Sequence, residues 1–200
     1  MAASNKPASN GFVRVARKVY KPIGFSKGYN FVLWFIFTGA LMGFILSRSP
    51  YLNFEGIFCS ERGKSSLHAG PGECFYYRRD FRDKVGIILH LACILPAGFL
   101  VCFQFVPIIR HKAILFHRIN GYIVILLSLV ATAGALMIGR HSFGGDMATQ
   151  MLLGLLSIMF VGAMVLAYIN IKRLQIEQHR AWMLRAWFYV RKPLRSPPYP

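Results

Sequence analysis

Acidic residues are scarce in this 200-residue chain. Seven Asp and Glu stand against 24 Lys and Arg, a formal net charge of +17. Charged residues of both signs make up only 16% of the sequence, below the roughly 25% of an ordinary soluble domain. Four long apolar blocks hold no acid at all. A soluble globule or a disordered tail does not carry such blocks, so both are excluded. The basic excess looks like a nucleic-acid signal, but blocks of this kind do not occur in a soluble basic domain. Nucleic acid is therefore not expected as a partner. Other signals are missing too. No CxxC or Cys/His cluster has zinc spacing, so no metal site is expected. There is no phosphate loop, no dinucleotide-binding glycine fingerprint and no Gly-x-Ser-x-Gly elbow. No Asn-x-Ser/Thr sequon occurs, and no run alternates with period two as a strand would.

What is present is hydrophobic sequence: 55% of residues, with a mean hydropathy of +0.44. A membrane-spanning helix needs about 20 mainly apolar residues. The blocks at 29–46, 85–106, 122–138 and 151–171 meet that length, and the last two admit earlier starts at Ala113 and Met147. Lipid offers the backbone no partner, so each is read as a helix. The expected fold class is all-α, an integral membrane bundle of four transmembrane helices. The remaining chain divides into a basic tail (1–28), loops at 47–84, 107–121 and 139–150, and a second basic tail (172–200).

Basic residues accumulate on the cytoplasmic side of a membrane. Segments 1–28, 107–121 and 172–200 together hold 16 basic residues and one acid, Glu177. Segments 47–84 and 139–150 hold eight basic residues and six acids. Both termini are therefore expected in the cytosol. The cationic side should attract anionic lipid headgroups. The segment Val13 to Tyr20 would be amphipathic as a helix, a feature shared with transit peptides. It is read as an orienting juxtamembrane tail, in an endomembrane or plasma membrane rather than the mitochondrial inner membrane.

The four cysteines separate by place. Cys93 and Cys102 lie in the second block and read as packing residues. Cys59 and Cys74 share the long outer loop. In an oxidising compartment they are a candidate disulfide closing a loop of about 15 residues, worth about 3 kcal/mol. Gly39 and Gly43 form a GxxxG pair, which allows close helix packing within the bundle or a helix–helix oligomer. Pro96, in the middle of the second block, cannot donate to the Ala92 carbonyl and should kink that helix.

All seven acids lie outside the four blocks, which disfavours ion-coupled transport. Histidine and arginine are left as the candidate chemistry. His90 lies inside the second block, and an ionisable residue there is a functional candidate. His141 follows the third block, His117 precedes it, and His179 follows the fourth. Transmembrane histidine pairs point to haem b with two imidazole ligands, so His90, His117, His141 and His179 are candidate cofactor ligands. Helical rise places His117 and His179 about 16 Å apart in depth, and His90 and His141 about 10 Å or more. His90, His117, His179, Arg118 and Arg180 are the catalytic candidates. The plainer reading of the basic rim, including Arg185, is an interface belt anchored by Trp182, Trp187 and Tyr189. His68 lies in the outer loop and is read as solvated.

The stretches His117–Arg118–Ile119–Asn120–Gly121–Tyr122 and Asn170 to Arg185 carry a resemblance. The second contains a His-Arg-x-Trp-Met-x-Arg signature. With Leu89-His90, Pro96-Ala97-Gly98, Gln104-Phe105 and Gly144-Gly145, they resemble a fungal family of multi-pass membrane proteins with a domain of unknown function. Bacterial members are described as predicted membrane proteins. The resemblance implies a helical membrane protein and no agreed reaction. Family members continue into further hydrophobic segments. Here residues 191–200 break the helix with basic residues and prolines, as a shortened member would. Two functions stay open: a haem-type redox or other membrane enzyme component, and a non-catalytic accessory or scaffold protein of a membrane-bound metabolic pathway.

The distribution of basic residues generates a topology prediction. Accessibility labelling of Lys64→Cys and Lys112→Cys should place position 64 outside and position 112 in the cytosol. Labelling of both from one side would refute the four-span reading.

Overall fold

The computed structural model describes residues 11–60, 69–70 and 72–188. His68, Lys64, Tyr189 and residues 191–200 lie outside them. No strand occurs among the described residues, and the fold class is all-α. The described residues form eight α-helices in order: α1 (Gly11–Tyr20), α2 (Gly28–Arg48), α3 (Glu73–Arg79), α4 (Phe81–Gln104), α5 (Pro107–Lys112), α6 (Ile114–Ile138), α7 (Met147–Lys172) and α8 (Ile176–Phe188). Of these, α2, α4, α6 and α7 are long and apolar enough to cross a membrane.

The helices outrun the apolar blocks. The first turn of α4 starts four residues before residue 85, whereas α6 and α7 start at Ile114 and Met147, at or next to the earlier starts Ala113 and Met147. Hydropathy marks where side chains prefer lipid, whereas a helix continues wherever its backbone bonds close. Lys84 N–H already donates to Asp80 O at 3.0 Å, and His117 N–H to Ala113 O at 3.0 Å. The consequence is chemical: Asp83, outside the apolar block, lies inside α4 and is 3% exposed. Pro96 sits within the same uninterrupted helix.

Contacts group the chain into two units. The first comprises Met1–Ser49 and Ile94–Leu127. Here Phe25 is buried against Phe31 and Trp34, with ring centroids 5.7 and 5.5 Å away. Polar groups on α4 and α6 are tied to backbone: Asn120 Nδ2 donates to Leu100 O at 3.0 Å, and Gln104 Nε2 to His117 O at 3.0 Å. Gly39 and Gly43 have open space where a Cβ would stand.

The second unit comprises Pro50–Cys93 and Ser128–Pro200. Its α4 and α6 portions meet backbone to backbone. A Cβ on Gly134 would stand 2.6 Å from Gly86 O and 2.8 Å from His90 N. Phe54, Phe58 and Tyr77 form a buried aromatic cluster beside α4, with Cys59 joined to Cys74 at its edge. Arg78 donates to the Cys59 carbonyl.

Where the sequence leads one to expect a basic tail, α8 turns back along α7. Leu174 makes the corner in the left-handed region at φ 59. His179 Nδ1–H then donates to Ala167 O at 2.8 Å, and Trp187 meets Phe160 edge-on at 5.9 Å. The small buried Ala163 and Ala167 lie on this stretch of α7.

The Gly86–Gly134 contact predicts a sharp steric response. Gly134→Ala should destabilise the protein by about 1–3 kcal/mol through backbone overlap. Gly154→Ala, in open space, should leave the thermal midpoint in detergent unchanged or raised. Equal midpoints for both variants would contradict the close approach.

Candidate active site at the Asp83–His141 end

The α6–α7 connection places a histidine over the start of α4. α6 ends at Ile138, His141 N–H caps it by donating to Ile138 O at 2.9 Å, and a tight turn follows over Ser142–Gly144. Phe143 holds φ 50 there, a region that costs energy for a bulky side chain. Glu73, 6% exposed at the start of α3, offsets that cost. Its Oε1 accepts from Phe143 N–H at 2.7 Å and its Oε2 from Gly70 N–H at 2.8 Å. One buried carboxylate thus ties the α6–α7 turn to the chain around the disulfide.

The second buried carboxylate, Asp83, receives His141. Nδ1–H of His141 donates to Asp83 Oδ2 at 2.5 Å. The imidazole lies flat on the ring of Tyr76, with centroids 4.1 Å apart and planes 6° from parallel. The side chain of His141 is 27% exposed, that of Asp83 4%. The ring is held in plane by Tyr76, oriented by Asp83, and left with Nε2 as its remaining nitrogen. A carboxylate on Nδ1 with Nε2 remaining is the arrangement that lets an imidazole take a proton and bear the resulting charge.

Tyr77 closes the inner wall. Ser142 Oγ–H donates to Ile138 O at 3.0 Å, which leaves its oxygen to accept from Tyr77 O–H at 3.3 Å. Burial pushes the Tyr77 hydroxyl up to about 12. The Ser142 bond opposes that rise, and the nearby Glu73 and Asp83 carboxylates add to it.

His90 is half-buried, and its Nδ1–H donates to Ala131 O at 2.9 Å. It lies seven residues beyond Asp83, about 10 Å further along α4. His90 and His141 therefore do not face each other across one iron. The backbone contact at Gly134 also leaves no room for a flat macrocycle between α4 and α6 beside His90. A haem held by His90 and His141 does not fit these residues. His179 is tied to Ala167, as above, with Arg180 exposed next to it. His117 and Arg118 belong to the other unit, where His117 is half-buried and Arg118 exposed. No group of three or more His, Cys, Asp or Glu placed to hold a metal ion occurs among the described residues.

Asp83, Glu73, Tyr76 and Tyr77 are the residues that sequence reasoning missed. One signal was available for Asp83. It lies seven residues before His90 on one helix, and that spacing returns to the same face. Placing the second span at residue 85 hid it.

The sequence profile of a family described as "Predicted membrane protein (DUF2306)" matches residues 87–191, just over half of the chain. Ava biosynthesis cluster protein G of Aspergillus versicolor is 25% identical over 184 residues, covering 80% of this chain and 52% of that protein. The chain thus spans about half the length of this relative. No solved structure matches the chain.

The Tyr77 shift carries a pH prediction. Its folded value lies above the ordinary 10.0, so its contribution to stability is complete below pH 10 and disappears as pH rises through about 12. Thermal unfolding should show a fall over that window that is shallower in Tyr77→Phe. Parallel curves for the two proteins would show that Tyr77 does not titrate in the buried cluster.

Proposed function

We propose a function from one premise: the chain belongs to the DUF2306 family of predicted membrane proteins. It is a membrane-embedded enzyme component of a biosynthetic pathway, and Asp83 and His141 are its acid–base pair. His141 Nε2 takes a proton from, or returns one to, a small organic intermediate reaching the end of α4. Asp83 holds the Nδ1–H and balances the charge that forms on the ring. The observation that carries this reading is the 2.5 Å bond from a part-exposed imidazole to a buried carboxylate. The pathway context is supported by the relative whose name places it in a biosynthesis cluster. Since the chain spans about half of that relative, the activity of a whole protein of this kind is part of the proposal.

The Asp83–His141 end faces the lumen or exterior of an endomembrane or plasma membrane, with both terminal segments in the cytosol. The 16-to-8 division of basic residues supports that orientation. The Cys59–Cys74 disulfide supports it too, because disulfides persist in oxidising compartments.

The test is made in the native host. His141→Gln and Asp83→Asn should each lower pathway product by about 100-fold or more, the usual weight of general acid–base catalysis. Protein abundance in the membrane should remain at the parental level. An upstream intermediate should accumulate in untargeted mass spectrometry. Product that simply follows protein abundance in both variants would overturn the catalytic role and favour the accessory one.

A further inference from the structure

The first unit contains no acidic residue: neither 1–49 nor 94–127 holds an Asp or Glu. Its cations therefore have no carboxylate of their own unit to pair with. Four of them are brought together by α1 and the turn that ends it, where Lys21 N–H donates to Arg17 O at 3.2 Å. At 100° per residue, Arg14, Arg17, Lys18 and Lys21 fall within an arc of about 100°. Val15, Ala16, Val19 and Tyr20 fall on the opposite side. The four cations line one shallow groove with Pro22. On the apolar side Val15 is 63% and Val19 52% exposed.

This helix is held at the end of a span. Tyr20 stacks on Phe31 of α2 at 6.3 Å. Phe25 N–H donates to Tyr20 O at 3.1 Å, which closes the corner after α1. Gly24 makes the turn at φ 94, and a Cβ there would stand 2.9 Å from Ile108 N. Ile108 N–H in turn donates to Ile23 O at 3.1 Å, pinning the corner to α5.

We propose that α1 is an interfacial helix whose basic groove binds the headgroups of anionic phospholipids. A helix with a basic face and an exposed apolar face, fixed beside a transmembrane span, meets the headgroup–acyl boundary with both faces matched. The apolar side enters the acyl boundary, and the guanidinium and ammonium groups meet lipid phosphates and carboxylates. The inference is independent of the acid–base reading, since it uses residues of the other unit alone.

The test uses the full chain in nanodiscs, with a nitroxide at Val15→Cys and with Cys93 and Cys102 replaced by alanine. Discs of phosphatidylcholine alone are compared with discs that also contain phosphatidylserine. Access of a water-soluble nickel chelate to the label should fall about threefold or more when phosphatidylserine is present, and the effect should weaken at high salt. The fourfold Arg14→Gln, Arg17→Gln, Lys18→Gln, Lys21→Gln protein should lose the difference. A charge-preserving variant (Arg14→Lys, Arg17→Lys, Lys18→Arg, Lys21→Arg) should keep it, which separates charge from folding. Equal access in the two lipids, or shelter that survives in the glutamine variant, would overturn the proposal. So would shelter produced in phosphatidylcholine discs by inorganic phosphate alone, which would make the groove a site for free anions.

Discussion

A hydrocarbon interior offers no hydrogen-bond partner, so the backbone groups carried into it must find theirs in the protein, and polar side chains gain by doing the same. That constraint makes the spans helical. It then governs the few polar side chains the helices carry. His90 donates to Ala131 O, Asn120 to Leu100 O and Gln104 to His117 O. Each crosses from one helix to the next and ends on a backbone carbonyl. A carbonyl has two lone pairs, so it can accept such a bond while keeping its place in the helix. These contacts fix side-chain orientation without using charge, which lipid would penalise.

Close approach is the second condition. A side chain as short as histidine reaches a carbonyl on a neighbouring helix only where the backbones lie near each other. Gly86 and Gly134 create that proximity beside His90. The α7–α8 turn uses the same device, with Ala167 supplying the carbonyl that His179 reaches. Small residues in a membrane bundle thus have a polar consequence as well as a packing one.

The acids all fall in the second unit, whereas basic residues occur in both. The first has cations and no carboxylate, which suits an anionic surface. Among the described residues the second holds two buried carboxylates, each with a defined task. Glu73 accepts two backbone N–H groups and steadies the strained Phe143 turn. Asp83 accepts one imidazole N–H and leaves Nε2 as the remaining nitrogen of that ring. The disulfide and the aromatic cluster beside them hold the segments that deliver both acids.

Hydropathy made the four spans and the all-α class legible, because twenty consecutive apolar side chains leave the backbone no other structure in lipid. Family membership was legible through a different signal, the His-Arg-x-Trp-Met-x-Arg stretch beyond the fourth apolar block together with shorter matches before it. Hydropathy left the start of α4 invisible, since a helix continues past its apolar face for as long as its backbone bonds close, and Asp83 was hidden for that reason. The return of α8 along α7 was hidden too. It depends on a left-handed residue at Leu174 and on small residues of α7, neither of which changes hydropathy. The pairing of Asp83 with His141 joins residues 58 positions apart. Sequence supplied the two groups, and only the antiparallel packing of α4 on α6 decided that they meet, because hydrogen bonds are set by distance in space.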